Sequence, residues 1–203
     1  MKNIAAWALA SAVLVGVVTY VAAQVYELRE AESAPSWKGT ERLSKLFDRN
    51  FPALGSLSHS PEPGANVYRF IWESSCCGAE GIEIVGGHHS LVRFGTARSP
   101  RDFNWETSEP ISTHRYREAM LSIYRSGILQ GPEHRPTTVD DGSIWWFEAI
   151  HHDVFINAFE SQHVCNKRFV ALSSIFSHEA EALGKHLKLQ SEVPSIGPPC
   201  ADR

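Results

Sequence analysis

The sequence predicts an α+β protein: an N-terminal transmembrane or signal helix, then one antiparallel-sheet domain with helices packed on it. Three observations lead there. A run of 22 uncharged residues spans Ile4 to Val25. Several segments alternate with period 2 and come in pairs joined by turn residues. Between those pairs lie stretches whose apolar residues recur at helical spacing.

The apolar run carries Val13, Leu14, Val15, Val17 and Val18 and is long enough to cross a hydrocarbon core of about 30 Å. Lys2 precedes it, whereas Glu27, Glu30 and Glu32 with only Arg29 follow. Positive charge therefore stays inside and the remainder of the chain is translocated. Val21 and Ala23 are small residues at signal-peptidase spacing before Gln24, so cleavage near Ala23 competes with retention as an anchor. The expected location is the inner (cytoplasmic) membrane, single-pass with the domain outside. The alternative is a periplasmic or secreted protein after cleavage.

The expected organisation is 1-26 as signal-anchor or signal peptide and 27-64 as a membrane-proximal linker and short helix. Residues 65-187 form the α+β domain and 188-203 an irregular tail. Thr40 caps a helix over Glu41 to Arg49, with Leu43, Leu46 and Phe47 on one face and Pro52 setting its end. Gly55 to Gly64, rich in Ser and Pro, is a loop.

Val67 to Glu73 alternates, placing Tyr68, Phe70 and Trp72 on one face and Val67, Arg69, Ile71 and Glu73 on the other. The aromatic side is expected to face the core. Glu80 to Val85 and Ser90 to Thr96 make a hairpin about Gly86, Gly87, His88 and His89. Ala97 to Pro110 reads as a long surface connection. A helix capped by Ser112 or Thr113 runs to Ser126, with Tyr116, Ala119, Met120, Ile123 and Tyr124 as its stripe and Gly127 as its stop.

Gly131 to Gly142 is a loop. Ile144 to Ile150 and Asp153 to Glu160 form a second hairpin around His151 and His152. A last helix extends from about Cys165 to Leu183, burying Phe169, Leu172, Phe176 and Ala180. The second hairpin is apolar on both faces, so it needs two covers. The helix near Leu43 supplies the second one, or a partner protein does, anchored on Trp146, Phe155 and Phe159.

The net charge of -4, from 19 basic and 23 acidic residues, and the lack of a Lys/Arg block argue against nucleic acid. Cys76, Cys77, Cys165 and Cys200 lie in the exported part, where disulfides are the default. Of the three possible pairings, the preferred scheme joins Cys76 or Cys77 to Cys165 and the other to Cys200. A second reading makes Cys165 a reactive thiol at a helix N-terminus near His163, though no C-x-x-C accompanies it.

His88-His89 and His151-His152 sit at two predicted turns, where convergence would permit a shared metal. Adjacent residues on an extended chain point opposite ways, which favours solvated turn histidines. His178-Glu179 and Asp140-Asp141 read as solvated surface. No catalytic, metal-ligating or cofactor-binding set with diagnostic spacing emerges, and no cofactor is expected.

The function expected from these features is that of a non-catalytic cell-envelope protein, membrane-tethered or secreted. It would bind an envelope protein partner through its sheet face or its 97–110 segment. The alternative is an extracytoplasmic hydrolase or metal-binding protein using the paired histidines.

Overall fold

The computed structural model describes residues 2–35, 37–59, 64–74, 78–131, 144–161 and 166–185. The chain divides into two compact units, Met1–Ser33 and Ala34–Arg203. The first is helix α1 (Lys2–Ala31), which runs six residues past Val25, the end of the uncharged run. Its span Ser11–Ala31 has a mean hydropathy of 1.5, long and apolar enough to cross a membrane.

The second unit is α+β. Its six strands, β1 (Asn66–Ser74), β2 (Gly78–Gly86), β3 (Leu91–Ala97), β4 (Asn104–Pro110), β5 (Ile144–His151) and β6 (Val154–Ser161), form one antiparallel sheet. The order is β4-β3-β2-β1-β5-β6. Helix α2 (Glu41–Asn50) precedes the sheet, α3 (Thr113–Arg125) links β4 to β5, and α4 (Lys167–Ala182) follows β6.

Each helix starts where its sequence offers a cap. Thr40 accepts from the Leu43 amide, Ser112 from Arg115, and Asn166 from Arg168 and Phe169. Past the Ser126 cap of α3, Gly127 adopts φ 79, a left-handed conformation that glycine enters without a Cβ clash. The β5–β6 hairpin closes on His152 and Asp153, with φ of 48 and 61, the pair of positive values a two-residue type I′ turn needs.

Strand β4 corrects the expectation of a surface connection over Ala97 to Pro110. Only residues 98–103, with the turn at Pro100–Asp102, connect; Asn104–Pro110 is an edge strand paired to β3. It escapes the alternation test because it is nearly all polar: Trp105 and Thr107 are half-buried while the others are exposed. Charge at Glu106 and Glu109 and a terminal Pro110 are what an edge strand carries to discourage further pairing.

The sheet is covered on both faces. On one, α3 and α4 lie over Tyr68, Phe70, Trp72, Ile82, Ile84 and Phe147; Phe176 stacks on Phe70 at 5.3 Å and Phe169 on Trp145 at 6.2 Å. Tyr116 sits against Gly86, where a Cβ would fall 2.1 Å from its ring. On the other face, Phe47 of α2 and Phe51 close edge-on over Trp146, at 5.7 and 6.2 Å, with Phe159 beside it. The second cover of the Trp146 face is therefore intramolecular, and Trp146 is buried. Phe103 reaches the same face over β2 and β3, where Gly81 and Gly95 leave room for its ring.

Candidate functional site

The strand register lines up one polar row across the face under α2. Glu148 on β5 is opposite Arg69 on β1, Arg69 is opposite Glu83 on β2, and Glu83 is opposite Arg93 on β3. Asn157 on β6 extends the row at one end and Ser108 on β4 at the other. Because side chains alternate faces, a slip of one residue in any strand would send its charge to the opposite face. The row therefore discriminates the observed register from its neighbours.

Contacts along the row are tight at its centre. Arg69 donates from Nε and Nη2 to Glu83 Oε2, at 2.9 and 2.7 Å, and from Nη1 to the Gly55 carbonyl at 2.8 Å. A longer contact of 3.4 Å joins Arg69 Nη1 to Glu148 Oε2. Glu148 relies more on neutral donors: the Ser56 hydroxyl at 2.6 Å and the Leu57 amide at 3.2 Å. Glu83 Oε1 receives Arg93 Nη1 at 3.2 Å. Arg69, Glu83 and Glu148 are all buried, so each depends on the others for its charge. Burial pushes the Glu148 carboxyl above its ordinary range, against the pull of Arg69, Ser56 and the Leu57 amide. The Asp48 carboxylate adds to that rise.

The row is deep at Glu148 and open at Arg93. The Arg93 side chain is 38% exposed, against 7% for Arg69. Over this end lies a cleft of about 370 Å³, with Arg69, Glu83 and Arg93 in its floor, Leu54 and Leu57 on one wall, and Phe103, Asn104 and Trp105 on the other. The Arg69 guanidinium lies 6.0 Å from the Trp105 ring and 5.9 Å from that of Phe47, so aromatic faces flank the buried cation. Volume, mixed lining and a single accessible charge are the attributes of a small-ligand or side-chain seat.

The residues singled out by sequence are dispersed. His88 and His89 are exposed in the β2–β3 turn. His151 ends β5 and is fully buried, which corrects its reading as a solvated turn residue. Its Nδ1 lies 2.5 Å from Tyr68 Oη. Burial, with Tyr116 alongside, pushes the Tyr68 phenol well above its ordinary value of 10.

The two turns share one end of the sheet but are three strand spacings apart, about 14 Å at 4.8 Å per strand. Among the described residues, no group of three or more His, Cys, Asp or Glu is placed to hold a metal. His178-Glu179 is also corrected in part: Glu179 is buried and accepts from Arg115 Nε and Nη2 at 2.9 and 2.6 Å. Cys76, Cys77, Cys165, Cys200, His163 and Asp140-Asp141 lie outside the described residues.

Sequence reasoning missed the row, although its signal was present. Arg69, Glu83, Arg93 and Glu148 are charges inside strands that otherwise bury apolar side chains. No family model matches the chain, and no curated protein matches it.

Proposed function

We propose that this chain is a non-catalytic cell-envelope protein whose translocated domain binds a protein partner in the cleft above Arg93. The observation that carries the binding reading is the cleft itself: one half-exposed guanidinium at the end of a buried ion row, framed by apolar and aromatic walls. The carboxylates of the row are engaged by guanidinium, hydroxyl and amide donors, an arrangement suited to holding shape rather than transferring protons. The placement reading is supported by α1, whose Val13, Leu14, Val15, Val17 and Val18 are each more than half exposed. A helix surface of that kind suits lipid or the export machinery.

In this reading the domain is held at the outer side of the inner membrane by α1, or released by cleavage near Ala23. Protease treatment of spheroplasts, with N-terminal sequencing of the product, tests it. Digestion of the 34–203 unit from outside is expected; an intact Met1 end marks the tether and a start at Gln24 the released form. A unit protected until the membrane is broken would place it in the cytoplasm and overturn the proposal.

A further inference from the structure

The polar row alternates in sign, Glu148, Arg69, Glu83, Arg93, and ends on a cation; the next position across, Ser108, offers only a hydroxyl. Glu83 serves two guanidinium groups at once, and the row as a whole is neutral, with two carboxylates to two guanidinium groups and Arg93 at its exposed end. Arg93 spends one donor on Glu83, through Nη1, and its Nε and Nη2 meet no described acceptor. A guanidinium binds a second carboxylate through such a free edge, by a pair of parallel charge-assisted hydrogen bonds. The cleft's lining is mixed, and Leu54, Leu57, Val85 and Trp105 supply its apolar part.

We propose that the cleft is a carboxylate site: it takes an apolar group bearing a free carboxylate, which pairs with Arg93 while the stem lies between Leu57 and Trp105. The ligand's carboxylate continues the alternation of the row. This rests on the cleft being the ligand seat and adds the chemistry it selects. A protein C-terminus and a small organic acid share that chemistry.

The test is titration of the full chain, held in a zwitterionic detergent, with N-acetyl-phenylalanine and with N-acetyl-phenylalaninamide, followed at the Trp105 indole N–H resonance, which the wild type and Arg93→Gln share. The acid is expected to bind at least tenfold more tightly than the amide, and Arg93→Gln to abolish the difference. Equal binding of acid and amide, or a preference that survives Arg93→Gln, overturns the proposal.

Should Arg93→Gln fail to fold, Ser108→Glu carries the test, since Ser108 is exposed and its replacement sets an internal carboxylate across from Arg93. Acid binding at least tenfold weaker in that variant supports the site, and unchanged binding sinks it. A peptide ending in a free phenylalanine carboxylate, set against its C-terminal amide, distinguishes the sources. Binding as tight as the small acid points to a protein terminus; binding of the small acid alone points to a small-molecule ligand. Failure of every acid removes the carboxylate claim, while partner capture in the cleft can still be tested separately.

Discussion

Arg69 is the residue on which the buried row depends, because it makes two contacts to Glu83 and one to Glu148. Arg69→Met fills the same space but leaves two carboxylates buried without their shared cation. It is expected to cost about 3–5 kcal/mol in denaturant unfolding. Glu73 presents a different case: it accepts from Trp146 Nε1 at 3.0 Å, yet burial pushes its carboxyl above the ordinary value of 4.5 and outweighs that bond. A raised carboxyl is easiest to bury below its unfolded pKa, and that contribution is lost as pH rises through the folded one. Glu73→Gln keeps an acceptor for Trp146 and removes the ionisation. Its stability is therefore expected to exceed the wild type's at pH 7, with the gap closing as pH falls through the raised folded value and gone below 4.5. A gap that widens on acidification would contradict the burial argument. Single positions of this kind were poorly legible in sequence: Arg69 and Glu148 are visibly charges inside apolar strands, but only the pairing of β1 with β5 reveals that they meet.

At the scale of elements, hydrophobic period and capping residues identified five of the six strands and all three helices of the domain. Thr40, Ser112 and Gly127 each occupy the boundary role their chemistry suits. Strand β4 was illegible because an edge strand with one half-buried aromatic offers no apolar alternation. How α2 attaches was also illegible, since it depends on one side chain more than a hundred residues away. Asn157 Oδ1 accepts from the Thr40 amide at 2.8 Å, and its Nδ2 donates to the Thr40 carbonyl and Ser44 Oγ at 3.0 and 3.2 Å. Asn157→Ala is expected to cost about 2–3 kcal/mol and to raise amide exchange in α2 well before α4. Uniform acceleration of exchange in both helices would show that α2 is not separately tied. On the opposite face, Gly86→Ala drives a methyl into Tyr116 and is expected to destabilise by about 1–3 kcal/mol. In the Tyr116→Ala background that cost should largely vanish, which a double-mutant cycle measures.

For the whole molecule, α1 and the 34–203 unit are separate compact bodies, and the second is a three-layer α+β arrangement with no face of its sheet left bare. Both covers follow from one property of the sequence, the two-sided apolar strands of the second hairpin. The choice between an internal and an external second cover needed the topology, which sets α2 against Trp146. That outcome moves the expected partner away from the sheet face and onto an opening beside the α2 cover, the cleft between residues 53–57 and 103–105. The most direct test of that seat is a photo-crosslinking amino acid placed at Asn104, on the exposed rim, and separately at Glu118, on exposed α3. In cells that make the protein, an adduct is predicted from position 104 but not from 118, and it should disappear when Arg93→Gln is added. Equal adducts from both positions, none from 104, or a 104 adduct indifferent to Arg93 would contradict a binding domain built around this cleft.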